Sequence, residues 1–246
     1  MRLTLAFETV VFDRLHLPGG QVIPAGKSFE LFRPTDSGIE NDVTKVDEEA
    51  ILRFFMASPG APRLFKRLGV PQNPFFAFSV KEPVRKNPHH PDFDLIICEP
   101  DKPHLATAIQ CKRVKVTTVT DGKDKVNKLE GVGGVVKQAR IQREEYGFHQ
   151  NYIALIIQTF DRDREKNNIL FSGLSDDTFH EIYDFPQRDS VHEDVGIIFI
   201  QITQPTGTDY TEKGNIGICL DKSAGRLTQT AILTERISEF VRTATL

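Results

Sequence analysis

Apolar and polar residues alternate along this chain with two distinct periods, and the switches between them mark out the elements. Short β-type runs at Leu3 to Phe12 and Phe29 to Phe32 flank turn-forming stretches at Pro18–Gly20 and Pro24–Gly26. From Asp42 to Ala57 the spacing predicts a helix, with Thr44 as N-cap, acids in the first turn, and Val46, Ala50, Ile51, Phe54 and Phe55 at helical intervals. The sequence SPGAP (58–62) stops it, and a second short helix or turn over Arg63–Leu68 ends at Gly69 and Pro71. A strand is expected at Phe75–Val80, then a polar, proline-broken connection (81–91). Two further strands, Phe93–Cys98 and Leu105–Val116, are joined by EPDKPH (99–104), whose prolines and Asp make a turn. Helical spacing returns over Val126–Tyr146, weakened by Gly131, Gly133 and Gly134. Tyr152–Thr159 is near-continuously apolar, as a buried strand is, and FDRDREKNN (160–168) reads as a solvated loop. Strands at Gly196–Ile202 and Ile216–Leu220 follow, then a helix from about Thr230 to Thr243. The order helix, paired strands, helix, strand predicts an α/β or α+β sandwich on a mixed central β-sheet flanked by helices.

With 246 residues, one large core with appended pieces is as well supported as two separate cores. A charged fraction of 26%, a hydrophobic fraction of 39% and a net charge of −3 exclude a disordered polyelectrolyte. No apolar run approaches the roughly 20 residues of a membrane span, so no membrane partner is expected. The start of the chain meets acids at Glu8 and Asp13 and lacks a small-residue cleavage site, which does not fit a signal peptide. Cys98, Cys111 and Cys219, odd in number and set in apolar runs, read as reduced, strand-buried thiols of a cytoplasmic protein. The charge is unevenly spread. From Ala108 to Arg143 there are nine bases (Lys112, Arg113, Lys115, Lys123, Lys125, Lys128, Lys137, Arg140, Arg143) against three acids (Asp121, Asp124, Glu130). That tract carries +6 and the remainder −9, so one face could hold a polyanion in an otherwise acidic protein.

Candidate chemistry lies in the hairpin. If its turn is centred near Lys102, Cys98 faces Ala106, Ile96 faces Ala108 and Asp94 faces Gln110, and opposed residues share a face. Strand alternation puts Lys112 on that face too, diagonal to Asp94, while Ile109 and Cys111 point the other way. A carboxylate and an amide oxygen are hard ligands suited to Mg²⁺, which keeps waters and leaves positions for phosphate oxygens. Such an ion lowers the pKa of bound water, and a neighbouring lysine can offset charge that builds in the transition state. An ordinary cross-strand Asp94–Lys112 ion pair at a sheet edge would need the same residues.

The sequences PDFDLIIC (91–98) and IQCKR (109–113), with Leu95 through Ile109 spanning the hairpin, resemble the PD-(D/E)xK nuclease superfamily. The Gln-x-Lys form is similar to the Mrr-type restriction endonuclease branch. The resemblance covers roughly Asp42 to Thr159 and implies a restriction-endonuclease-like core (41–160) with a β-rich N-terminal extension (1–40). It leaves a C-terminal α/β extension (161–246) packed on the same domain. It implies Asp94 as the metal-binding acid, with Asp92 as competitor, Gln110 in place of the usual second acid, and Lys112 as catalytic lysine. The Cys111 backbone carbonyl would be a further ligand. Relatives add a glutamate from the preceding helix, which points to Glu48; Asp47, Glu48 and Glu49 would equally complement a helix N-terminus. The implied activity is Mg²⁺- or Mn²⁺-dependent hydrolysis of phosphodiester bonds in nucleic acid, DNA first, in prokaryotic restriction or anti-phage defence. Cutting both strands of a duplex would favour a homodimer or a partner subunit. The alternative is a non-catalytic nucleic-acid-binding or assembly module that keeps the fold.

Gln142 and Tyr146 make a Q-x-x-x-Y spacing similar to that of the RecB-type exonuclease branch, which implies nucleic-acid contact by Gln142. Lys128, Lys137, Arg140 and Arg143 are candidates for phosphate contacts, or a solvated helix face. His89 and His90 lack any zinc-site spacing, and EGVGGVVK (130–137) lacks the order of a phosphate-cradling loop.

Overall fold

A computed structural model describes residues 8–13, 48–57, 61–70, 74–85, 87–90, 92–118, 123–161, 174–205 and 213–244. The expected N-cap Thr44, the strand at Phe29–Phe32 and most of the loop over 160–168 lie outside them.

The predicted α/β class holds: the elements are layered on one mixed, open sheet. It contains β1 (Glu8–Asp13), β2 (Phe75–Val80), β3 (Phe93–Glu99), β4 (Lys102–Thr118), β5 (Asp124–Asn127), β6 (Gln150–Asp161), β7 (Gly196–Pro205) and β8 (Lys213–Lys222). Strand order is β1-β8-β7-β6-β4-β3-β2, with β5 paired to β4 off that path. Strands β4, β6 and β7 run parallel; the remaining pairs are antiparallel. The sheet therefore draws strands from all three segments into which the sequence was divided.

Both faces are covered, which is why the central strand β6 reads as an unbroken apolar run. On one face α1 (Glu48–Ala57) and α2 (Ala61–Leu68) bury Ile51, Leu52, Phe55, Leu64 and Phe65 against Leu95, Ile97, Ile109, Cys111, Ala154 and Ile156. On the other, α3 (Val132–Ile141), α4 (Asp176–Tyr183) and α5 (Phe185–Arg188) cover Val114, Val116, Ile153, Leu155 and Phe199. There too α6 (Ala231–Ala244) packs Leu233, Ile237 and Val241 against Phe93, Ile96, Cys98 and Ala108. The three cysteines are free and buried on strands. Burial pushes the Cys98 and Cys219 thiols up to about 12, which leaves them unreactive.

Three local expectations need correction. The hairpin turns at Pro100–Asp101, not near Lys102, since Glu99 pairs with Lys102. A register shift then follows, and beyond it Ile97 faces Thr107, Ile96 faces Ala108 and Leu95 faces Ile109, as expected. Pro103 lies in the shifted stretch, where a residue without an N–H is tolerated at a bulge. Second, the helix expected from Val126 begins at Val132. Residues 124–127 pair with β4 as β5, and Lys128 turns the chain with φ of +70° into a 3₁₀ turn at Leu129–Gly131. The last helical stretch, Gln142–Tyr146, is a π turn ending at Gly147, whose φ is +69°. Third, α4 went unread, although Ser175 caps it by accepting the Thr178 N–H at 3.3 Å. Among the described residues no helix is long and apolar enough to cross a membrane.

Candidate active site

Strand β4 is long enough to have two successive partners on one edge. Its pairing with β3 ends at Leu95–Ile109, and its pairing with β5 starts at Lys115–Asn127. Among the described residues no strand fills that edge between them. An unpaired buried N–H is costly, so the amides exposed in this notch need acceptors. Two carboxylates supply them. Cys111 N–H donates to Asp94 Oδ2 at 2.7 Å, and Arg113 N–H donates to the Glu48 carboxylate. In a strand the N–H and C=O of one residue leave on the same edge, so the Cys111 carbonyl opens into the notch between the two acids.

Asp94 is the second residue of β3, and Glu48 stands in the first turn of α1, which is pinned on the sheet by Ile51, Leu52 and Phe55. The neighbouring acids are otherwise engaged. Glu49 pairs with Arg53 at 2.6 Å and accepts from Ser79 Oγ at 2.6 Å. Asp92, the competing assignment, is held by Arg85 at 2.8 Å and Lys81 at 3.4 Å. Burial raises the Asp94 carboxyl to about 7; the Cys111 N–H opposes the rise, and the Glu48 and Asp92 charges add to it. Burial likewise raises Glu48, opposed by the Arg113 N–H and then by the Lys112 charge.

Lys112 closes the notch on the helix side. A Cβ added to Gly131 would fall 2.6 Å from Lys112 Cε and 2.8 Å from its Nζ, so the lysine lies directly over a glycine at the start of α3. At Gly133 and Gly134 an added Cβ would meet open space.

Gln110 is buried, and its amide nitrogen donates to the Asp94 carboxylate. Its Oε1 accepts from Gln142 Nε2 at 2.5 Å. The structure thus brings Glu48, Asp94, Gln110, Cys111 and Lys112 together but turns the Gln110 oxygen away from the acids. Gln142, expected to touch nucleic acid, is only 1% exposed and addresses Gln110 instead. Tyr146 is buried on Phe93 and Phe148, its hydroxyl 3.0 Å from His90 Nδ1. Arg143 is bound to Asp194, which removes it from the phosphate candidates. Lys137 and Arg140 remain on the exposed face of α3, the latter 3.6 Å from Glu144.

Comparison of the chain with protein-family models, with curated proteins and with solved structures finds no match. No group of three His, Cys, Asp or Glu side chains suited to a metal ion occurs among the described residues. The notch instead combines two carboxylates with a backbone carbonyl, all hard oxygens of the kind Mg²⁺ and Mn²⁺ take while keeping waters. Beyond burial, the Glu48 charge pushes the Asp94 carboxyl up further. A divalent cation between them would remove that conflict, so the residues fit one.

Proposed function

We propose that this chain is a divalent-cation-dependent nuclease with a restriction-endonuclease-like core, acting on phosphodiester bonds in DNA. One observation carries the reading: Asp94, Glu48 and Lys112 converge on an open stretch of β4 whose flanking elements carry the basic tract. Lys115 on β4, Lys125 on β5 and Lys137 and Arg140 on α3 belong to that tract and give a polyanion a place to lie beside the acids.

Asp94, Glu48 and the Cys111 carbonyl would hold Mg²⁺ or Mn²⁺. When bound, the ion supplies a water of lowered pKa and polarises the phosphoryl group. The protein does the rest. The β4 amides hold both carboxylates in place, so the two acids need not move on binding. Lys112, constrained by Gly131 beneath it, holds its ammonium protons toward a phosphate oxygen whose negative charge grows during attack. Lys137 and Arg140 bind backbone phosphates and orient the strand.

The test is incubation of purified protein with plasmid, single-stranded DNA and RNA, with and without Mg²⁺ or Mn²⁺. Cation-dependent cleavage of DNA that is lost in Lys112→Ala supports the proposal. Cleavage confined to RNA would move the substrate, and binding without cleavage in either cation would establish the non-catalytic module instead.

A further inference from the structure

The chemistry above gives the buried Gln142 side chain no task. Gln142 stands at the first residue of the π turn and is 1% exposed. Its Nε2 donates to Gln110 Oε1, but its own Oε1 is buried with no hydrogen-bond partner. A buried amide oxygen without a donor is destabilising, because it has given up its bonds to water and gained none in return. An apolar side chain of similar size would avoid that cost, so stability alone does not account for a glutamine here.

Gln110 supplies the other half of the arrangement. It is 3% exposed, with its nitrogen toward Asp94 and its oxygen toward Gln142. The two ends of a glutamine amide are nearly equal in size, and its last torsion is roughly two-fold. Both amides can therefore turn end for end in the same space. After the turn Gln110 donates its nitrogen to Gln142 Oε1, the atom that now lacks a donor, and directs its own oxygen at the acids.

We propose that Gln142 is a positioning residue that lets Gln110 offer nitrogen to the ionised Asp94 and oxygen to a divalent cation, the two amides turning together. The inference rests on the cation-site reading given above. An ionised carboxylate favours the N–H facing it, and a cation favours the oxygen. The cation selects one sense of the amide pair because it interacts differently with the two.

The test separates orientation from packing. Mn²⁺ is titrated by calorimetry into wild type, Gln142→Met, Gln110→Glu and the double variant, with Asp94→Asn as the site control and urea denaturation of each in chelator. A carboxylate at position 110 offers an oxygen whichever way it turns, so it has little need of Gln142. Gln142→Met should weaken Mn²⁺ binding about 10-fold beside Gln110, as loss of a residue that orients a ligand does, and less than about 3-fold in the Gln110→Glu background. Equal losses in the two backgrounds overturn the proposal and make Gln142 a packing residue. A readout on the unmutated protein guards against a variant that fails to fold. In isotopically labelled wild type, the side-chain NH₂ resonances of Gln110 and Gln142 should move together on Mg²⁺ addition; a Gln142 signal that stays fixed while Gln110 moves overturns the proposal equally. If wild type binds no Mn²⁺, the cation site itself falls. That result is distinct from binding that is lost in Asp94→Asn yet indifferent to Gln142.

Discussion

Replacing Asp94 by Asn should stabilise the cation-free protein, and by an amount that grows with pH. The Asp94 carboxyl is raised from its ordinary 3.8 to about 7, with burial as the main cause. Between those values the folded protein holds a proton that the unfolded chain has released. Stability is therefore highest at low pH and is lost as pH rises through that window. At 1.36 kcal/mol per unit, the penalty from this one group is about 1.7 kcal/mol at pH 5 and about 4 kcal/mol at pH 8. Asparagine carries no charge at either pH and keeps an oxygen for the Cys111 N–H. The stability difference between variant and wild type should then shift by about 2.5 kcal/mol between pH 5 and pH 8. A fixed cost of exchanging carboxyl for amide cancels in that comparison. Urea denaturation in chelator at several pH values measures it; in melting temperature the shift is about 5–10 °C for a domain of this size. Saturating Mg²⁺ in place of chelator should stabilise wild type at pH 8 and leave Asp94→Asn unmoved. Curves for the two proteins that stay parallel across the pH range would refute the reasoning, because Asp94 would then titrate as an ordinary surface acid.

Lys112→Ala should lower turnover by about 10²-fold or more, the cost of removing one charge-stabilising donor, while urea midpoints stay near wild type; a wild-type rate in a cleavage assay discards the lysine's role. Gly131→Ala should fold normally, since Gly131 has φ of −74° and its backbone tolerates a side chain. Its methyl would displace the Lys112 ammonium and slow cleavage by up to about 10²-fold, so full activity would mean that the lysine's position is immaterial. Replacing Lys137 and Arg140 together by Ala should flatten the log–log salt dependence of DNA binding by about two units if each meets one phosphate. An unchanged slope in a fluorescence titration would return both to a solvated face.

Much of this arrangement was legible because a strand has period two. Once the apolar runs at 93–98 and 105–116 were paired, Asp94, Gln110 and Lys112 had to fall on one face, and an error in the turn was absorbed by the bulge at Pro103. Glu48 was harder to read, since an acid in the first turn of a helix has a local reason to be there. Only the tertiary path of α1 over the sheet shows its carboxylate meeting the Arg113 N–H. The Lys112–Gly131 contact and the Gln110–Gln142 pair leave no local mark at all. Each joins residues brought together by the excursion through β5, and DKVN is too short to announce that strand against the helical spacing that begins at Val126.

The π turn carries a consequence for insertions and deletions. It is a helix with one residue more per turn than usual, fixed at one end by Gln142 on Gln110 and at the other by Tyr146 on His90. Deleting one residue between them would restore a plain α-helix, in which each residue advances the chain by about 1.5 Å and about a 3.6th of a turn. The amide and the phenol could no longer both reach their partners. Exposed positions here, Glu144 among them, can vary in identity, but the stretch has no freedom in length. Among descendants of this chain, gaps should accumulate elsewhere and stop at this turn.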